Sequence, residues 1–200
     1  MPIRVSPLAE ADIPGAVSAI HIRCRWGMRN GIFHVAKEEG SDEVLGVACW
    51  LRPQKAGQPQ SWHDWIESWR LWFNQVGMNL YYGRGGLNVK RYYIWKAAQA
   101  EAQSAVWTDP RGYYFLNIMV VLPKAQNRGI GRLMMEAVTK QADAEGMSCY
   151  LESSRDVPNM QIYGRFGFKF TKELECDDDG TAIKLYTMVR EPNATAPRMN

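Results

Sequence analysis

Residues 119–133 read MVVLPKAQNRGIGRL and carry more information about the fold than any other stretch of this chain. An apolar strand enters a short polar loop, and the loop opens an amphipathic helix. Gly129 and Gly131 lie where the helix begins, and Arg128 and Arg132 add positive charge there. Free backbone N–H groups and the positive end of the helix dipole meet at a helix N-terminus, and glycines let an anion come close. The stretch therefore predicts a site for a phosphate-bearing ligand.

The composition fits one globular domain with a full core. Hydrophobic residues make up 46% of the 200 residues, and this length suits one domain with an insertion. The formal net charge of +3 is too small to indicate nucleic acid as the main partner. The four cysteines lie far apart, without a Cys-x-x-Cys pair, which is typical of reduced, buried thiols in a reducing compartment.

The sequence offers no recognisable targeting signal, membrane span or metal site. Residues 1–5 lack the apolar run of a signal peptide, and no stretch is long and apolar enough to cross a bilayer. We therefore expect a cytoplasmic protein without a membrane partner. The acidic run at residues 177–179 is typical of a solvated hairpin turn, and no set of converging metal ligands is evident.

Apolar periodicity predicts a mixed sheet with helices on both faces. Strands are expected at residues 3–5, 31–37, 44–51, 113–122, 149–154, 168–174 and 181–189, and helices at residues 9–23, 128–145 and 159–166. Residues 1–190 would then form a single α/β domain, a three-layer α/β/α sandwich with a mostly antiparallel sheet. Residues 191–200 are polar and contain proline, which predicts a flexible tail.

An aromatic-rich helical insertion, residues 54–112, precedes the central strand. Four tryptophans and a valine recur in it at steps of three and four and share one narrow arc of a helix: Trp62, Trp65, Trp69, Trp72 and Val76. A glycine-rich break at residues 83–86 separates this helix from a second one at residues 87–107. We expect the tryptophan stripe to pack on the sheet, with a binding pocket or a dimer contact as the alternative.

Three motifs between residues 116 and 168 carry a family resemblance. The strand ends in Val121-Leu122-Pro123, and residues 126–131 fit the pattern Gln/Arg-x-x-Gly-x-Gly/Ala. Residues 159–168, NMQIYGRFGF, fit Asn-x-x-x-Tyr-x-x-x-Gly-Phe. In this order and spacing the motifs resemble the GNAT acetyltransferases, which bind acetyl-CoA. The segment YLESS at residues 150–154 is most similar to the fungal small-molecule-type members of that superfamily.

The resemblance implies where acetyl-CoA would bind. The strand backbone at Met119, Val120 and Val121 would hydrogen-bond the pantetheine arm, and Asn159 would steady that arm from the side. The backbone N–H groups and arginines of the loop would hold the pyrophosphate: Gln126, Asn127, Arg128, Gly129, Ile130, Gly131 and Arg132. Asn159 could also cap the helix that follows Pro158, and capping and a cofactor contact can coexist. No metal is implied.

The implied reaction is direct attack of a neutral primary amine on the acetyl carbonyl in a ternary complex. Tyr163 would lie near the thioester sulfur and protonate the departing thiolate, with a buried structural tyrosine as the alternative. A backbone N–H of the central strand would stabilise the oxyanion. The acceptor would be a small-molecule amine, with a protein amine as the second choice, and the insertion's aromatic residues are compatible with a homodimer.

The chain departs from the family pattern in two places. Asn117 stands where many members carry an acidic residue, so Glu152 becomes the first candidate for the base, followed by His34, His63 or a water. A structural hydrogen-bonding role is the alternative for Glu152. Only residues 6–30 remain for the two helices that usually wall the acceptor site, so one helix is missing, the insertion replaces it, or the sequence is truncated. These departures favour the alternative function, a non-catalytic acyl-CoA-binding module or sensor.

Overall fold

The computed structural model describes residues 3–7, 21–55, 61–82, 89–177 and 182–193. The strands in these ranges are β1 (Ile3–Pro7), β2 (Gly31–Glu38), β3 (Val44–Leu51), β4 (Tyr114–Val121), β5 (Cys149–Ser153), β6 (Lys169–Cys176) and β7 (Ile183–Arg190). The helices are α1 (His21–Asn30), α2 (Trp62–Tyr82), α3 (Val89–Val106), α4 (Ile130–Glu145) and α5 (Asn159–Gly164). A short 3-10 turn, Pro123–Ala125, follows β4.

The described strands form one seven-stranded sheet in the order β1-β2-β3-β4-β5-β7-β6. Strands β4 and β5 pair in parallel, and the other neighbours in the sheet are antiparallel. A parallel pair needs a crossover between its strands, and α4 supplies it. The prediction of a mixed, mostly antiparallel sheet with a helical insertion before its central strand is confirmed.

Core side chains cover both faces of the sheet. Leu116 and Leu151 belong to one buried cluster, together with Met134 and Met135 of α4. Successive side chains of a strand point to opposite faces. Phe115 and its neighbours therefore form a second cluster on the other face, with Trp107 and Tyr150 packed around Phe115. We call these the α4 face and the insertion face of the sheet.

Helix α1 extends further along the chain than the sequence predicted and ends directly before β2. The predicted helix at residues 9–23 falls mostly outside the described residues, and α1 continues to Asn30. Its apolar face is narrow: Cys24 is fully buried, and Gly27 comes so close to Phe33 that a Cβ on Gly27 would lie 2.7 Å from that ring. The glycine thus allows α1 to lie directly against the sheet.

The two helices of the insertion are confirmed, but the prediction that the tryptophan stripe packs on the sheet is wrong. Trp62 is 79% exposed, and the other three tryptophans of the stripe and the neighbouring Phe73 are exposed too. The glycine-rich break between α2 and α3 lies outside the described residues. Residues of α2 at roughly opposite helical angles, Glu67 and Leu71, face α1 instead. The apolar arc of α2 therefore points away from the domain.

A buried ion pair joins the end of α4 to the end of β7. Both oxygens of Asp143 accept hydrogen bonds from the Arg190 guanidinium, each at 2.7 Å, and the backbone N–H of Asn193 donates to Asp143 as well. Arg190 Nε also donates to the carbonyl of Phe166, just after α5. Part of the predicted tail, residues 194–200, lies outside the described residues, as do residues 178–180 of the predicted turn.

None of the described helices is both long enough and apolar enough to pass through a membrane.

Candidate functional site

The centre of the sheet opens between β4 and β5. The two strands pair at three positions, ending at Leu116 and Leu151, although β4 continues to Val121 and β5 to Ser153. Beyond Leu116, the edge of β4 that faces β5 therefore has backbone groups with no partner strand in the described part of the chain. Unpaired strand edges bind extended ligands through backbone hydrogen bonds. The predicted pantetheine-binding residues Met119, Val120 and Val121 all lie on this open edge.

Asn117 lies at an irregularity in β4, where the strands begin to separate. On the β3 side, Cys49 pairs with Ile118 and Trp50 pairs with Leu116, so Asn117 is an extra residue, as in a β-bulge. Its side chain is exposed. The bulge turns the strand locally at the position where the family pattern places an acidic side chain.

The loop after β4 brings its backbone N–H groups to the start of α4. Asn127 and Gly129 both have left-handed backbone conformations, with φ of 60° and 77°. The first helical hydrogen bond runs from Leu133 N–H to the Gly129 carbonyl, which leaves the N–H groups of residues 130–132 without helical partners. A Cβ on Gly129 or Gly131 would meet no atom within 4 Å. The turn is therefore open on the side from which an anion would approach.

Arg128 and Arg132 each form an ion pair with a carboxylate. Arg128 donates a hydrogen bond to Glu38 at the end of β2, and this bond lowers the pKa of the Glu38 carboxyl. Arg132 Nε donates to Glu136 one helical turn later, at 2.5 Å. Both guanidinium groups remain exposed, so each lies next to solvent as well as next to its carboxylate.

Asn159 is fixed to β5 rather than to its own helix. Its Nδ2 donates to Ser153 Oγ at 3.0 Å, and Ser153 Oγ in turn donates to the carbonyl of Arg155. Helix α5 begins after Pro158 without a side-chain cap, so the helix-capping alternative for Asn159 is wrong. The amide side chain is held beside the end of β5, where the gap between β4 and β5 opens.

Tyr163 lies on the α4 face of the sheet, half-buried against that core cluster. The centre of its ring is 6.2 Å from that of Phe168, in an edge-to-face arrangement. Burial raises the pKa of the Tyr163 hydroxyl, because a phenolate would lose its hydration there. The phenol is therefore protonated at neutral pH and able to donate a proton.

Glu152 lies on the opposite, insertion face. One of its carboxylate oxygens accepts a hydrogen bond from Gln99 of α3 at 2.7 Å, and the other accepts from the Tyr150 hydroxyl at 2.9 Å. Lys96 donates to Gln99 in turn, at 3.3 Å. Glu152 thus has the structural hydrogen-bonding role that the sequence left open. The two residues predicted to act in catalysis, Glu152 and Tyr163, are on different faces and can meet a common ligand only across the gap between β4 and β5.

The two histidines occupy different environments. His34 lies on β2, opposite Ala48 of β3, and its buried Nδ1 has no hydrogen-bond partner among the residues that the structure describes. Burial lowers the pKa of His34, which keeps the imidazole neutral at pH 7. His63 is exposed at the start of α2 and lines a cavity.

This cavity, of about 360 Å³, lies on the insertion face where α1, α2 and the ends of β3 and β4 meet. Its apolar walls come from Trp26, Leu51, Trp107 and Phe115. Its polar lining comes from Arg29, Asn30, Arg52, Gln54, His63 and Ser68. Phe115 precedes the bulge residue by two positions, which places the cavity wall about 7 Å along the strand from the open edge of β4.

A second opening, of about 470 Å³, lies between α1 and α2 and shares Trp26 and Arg29 with the first. Arg25 and Arg70 also line it, with Glu67 as the acidic residue among the described lining. Glu67 is 7% exposed and lies 3.5 Å from Arg29 and 3.6 Å from Arg70. Among the described residues, the lining of the two openings carries a net positive charge.

Sequence reasoning missed several residues that hold the predicted ones in place. Ser153 positions Asn159, Gln99 positions Glu152, and Glu38 positions Arg128. The alternation of β5 could have indicated Ser153, because it falls on the face opposite to Glu152. No local signal marks Gln99 or Glu38, since each comes from an element far away in the sequence.

Comparisons with known proteins agree with this geometry. The family model described as "Acetyltransferase (GNAT) domain" matches residues 90–170, from α3 to β6, including the open edge, the loop and α5. The curated "Uncharacterized N-acetyltransferase C550.08" of Schizosaccharomyces pombe is 26% identical over 152 residues, or 75% of this chain. The match covers 58% of that relative's own length.

Two solved structures share the fold over nearly their whole lengths. Arylalkylamine N-acetyltransferase 2 from Aedes aegypti has a TM-score of 0.65 at 12% identity, over 96% of this chain and 99% of its own. A Corynebacterium glutamicum protein, described as histone acetyltransferase HPA2 and related acetyltransferase, has a TM-score of 0.57 at 18% identity, over 96% and 98%. Residues 90–170 thus match a GNAT acetyltransferase domain, and the three motifs and the gap between β4 and β5 lie in that segment.

Proposed function

We propose that this chain is an N-acetyltransferase that moves the acetyl group of acetyl-CoA to a primary amine of a small molecule, by direct attack in a ternary complex. One observation carries the proposal: the open edge of β4 leads directly into the left-handed turn at Asn127 and Gly129. An extended arm can pair with the edge while its phosphates lie over the turn. The name of the curated relative supports an acyl-transfer role.

The residues present fit acetyl-CoA. A Cβ on Gly129 or Gly131 would project into open space, so these positions leave room for a pyrophosphate above the unpartnered N–H groups of residues 130–132. Arg128 and Arg132 lie at the same helix end, where positive charge and the helix dipole both favour an anion. Asn159 is held next to the arm's path by Ser153.

Acetyl-CoA would supply an acetyl group already activated as a thioester. Tyr163, kept protonated by its burial, would donate a proton to the departing thiolate from the α4 face. The backbone N–H groups beyond the Asn117 bulge are the donors that the open edge offers to a developing oxyanion. The amine would arrive from the insertion face, because the cavity beside Phe115 lies there.

The cavity supports a small-molecule acceptor. Its volume of about 360 Å³ falls in the range of ligand pockets, about 300–1,000 Å³. Aromatic walls suit an apolar body, and Arg29 and Arg52 suit an acidic group on the same molecule. We infer that amines bearing a carboxylate are preferred over polycationic amines, which the positive lining repels.

A second candidate function is a non-catalytic acyl-CoA-binding module. The observation in its favour is that both oxygens of Glu152 already accept hydrogen bonds, while Asn117 cannot act as a base. In the enzyme, Glu152 would take the amine proton through a water, or His63 at the cavity would take it.

Cofactor binding is tested first, by the thermal shift that acetyl-CoA causes. The Gly129→Ala variant should lose most of this shift, because Ala strains the left-handed turn and fills the space above it. Gly146→Ala is the matched control: Gly146 has φ of 62° at the other end of α4, and its Cβ would also meet nothing within 4 Å. An equal shift in both variants would contradict the proposed cofactor site.

Turnover is tested by thiol release from acetyl-CoA with paired amines, such as tyrosine and tyramine. We expect faster release with the carboxylate-bearing member, and a loss of that preference in Arg52→Gln but not in Lys140→Gln on the far side of α4. Equal rates for both amines would overturn the acceptor class alone. Acetyl-CoA binding without thiol release for any amine would favour the non-catalytic acyl-CoA-binding module.

A further inference from the structure

We propose that the exposed tryptophan stripe of α2 is the interface of a symmetric homodimer. The exposed part of the stripe consists of the four tryptophans, and the exposed Ile66 and Phe73 beside them extend the surface and are counted with it. Amphipathic helices normally turn their apolar arc toward their own core. In α2 the arc is turned outward, while the polar residues Glu67 and Asn74 face α1. An apolar face in this orientation needs a partner outside the domain.

The stripe supplies most of the area that a stable dimer buries. The aromatic members are between 44% and 79% exposed. At about 150–250 Å² for a buried aromatic side chain, they present roughly 600 Å². A standard interface buries about 800 Å² on each partner, so the stripe alone supplies roughly three-quarters of that area. A patch of this size lies at the upper end of what monomers expose, and such patches are often functional.

The geometry of the stripe suits a second copy of itself. Its rings already form a ladder, with edge-to-face neighbours 5.7 Å apart for Trp62 and Trp65 and again for Trp69 and Trp72. The ladder runs for about 16 Å along the helix axis. Two antiparallel copies of α2 related by a twofold axis would place each ladder against the other, so that the same patch serves both subunits.

The charge of α2 argues against a lipid surface as the occupant. Helices that lie in membrane interfaces carry many lysines and arginines on their polar face. The sequence of α2 has two acidic residues, Asp64 and Glu67, and one arginine, Arg70. A second protein copy needs no such positive charge.

The test is sedimentation velocity of the full chain across a dilution series, with iodide quenching of tryptophan fluorescence. We expect a monomer–dimer equilibrium, with quenching that falls as the dimer forms. Trp69→Lys should raise the dissociation constant about 30-fold or more, the effect of losing a central aromatic anchor. Asn74→Lys is the matched control, because it adds the same charge to α2 on the side away from the stripe.

Three results would overturn the proposal. One is sedimentation as a monomer at every concentration. This result would overturn the proposal whether iodide quenches the tryptophan fluorescence or the chain's own residues protect it. Another is a dimer that Trp69→Lys does not weaken, which would place the interface elsewhere. The third is a monomer whose tryptophans become protected on addition of neutral or anionic lipid vesicles, which would identify a membrane surface as the occupant.

Discussion

Replacing Asp143 with asparagine should destabilise the protein strongly, because it leaves the buried Arg190 without a counter-charge. The side chains of Asp143 and Arg190 are 11% and 12% exposed, and two hydrogen bonds of 2.7 Å join them. Removing one partner of such a pair costs about 3–5 kcal/mol. For a chain of this length, about 4 kcal/mol corresponds to a fall in Tm of roughly 8–16 °C.

The assay is chemical and thermal unfolding of Asp143→Asn beside a surface control. Glu101→Gln removes a carboxylate from the Lys172–Glu101 pair, which is 2.8 Å long but exposed, and should cost less than about 1 kcal/mol. The double variant Asp143→Asn/Arg190→Met should be more stable than Asp143→Asn alone, since it removes the uncompensated charge. Equal losses for the buried and the exposed pair would refute the reasoning.

The same ion pair gives the stability a pH dependence with a definite sign. Burial by itself would raise the pKa of Asp143, but the hydrogen bonds from Arg190 and Asn193 outweigh it and hold the pKa below its usual value. The stabilisation is therefore fully present above the unfolded pKa of about 3.9 and is lost as the pH falls toward the lower folded pKa. Asp143→Asn should lack this part of the acid transition.

Three further outcomes follow from the site and the core. Tyr163→Phe should lower acetyl transfer about 100-fold or more while the acetyl-CoA thermal shift persists, and unchanged transfer would remove Tyr163 from its role. Asn159→Ala loses the bond to Ser153 and should lower stability by about 1 kcal/mol, measured by urea unfolding; no loss would mean that this bond does not form in solution. Burial raises the pKa of Cys49 and Cys149 to about 12 each, so native protein at pH 8 should resist iodoacetamide that labels it in denaturant; rapid native labelling would contradict their burial.

Local sequence signals predicted most of the elements around the site. The apolar run of β4 and the glycines where α4 begins are short-range features, and the structure has both where the sequence predicts them. The predicted helix ends at residue 23, whereas α1 continues to Asn30, and its inward face is only Cys24, Gly27 and the partly buried Met28, at positions i, i+3 and i+4. That spacing is typical of one face of a helix, but three arginines in the same segment interrupt the apolar pattern.

Long-range contacts account for the remaining differences. The periodicity of α2 specified an aromatic arc but not its direction, because direction depends on which side of the helix meets α1. The gap between β4 and β5 follows from where their pairing ends, and Glu152 is engaged by Gln99, which is 53 residues away. Propensity and spacing carry no information about such contacts.

The hydrogen bond between Gln99 and Glu152 makes the insertion an integral part of the domain, which cannot be deleted without exposing groups of β5. Deleting residues 54–112 would strip Gln99 from the Glu152 carboxylate and Trp107 from the Tyr150 ring, whose centres are 5.5 Å apart. A minimal engineered version of this domain would therefore need a new donor for Glu152 and a new cover for Tyr150. Grafting the insertion onto another scaffold would likewise require both recipient residues on β5.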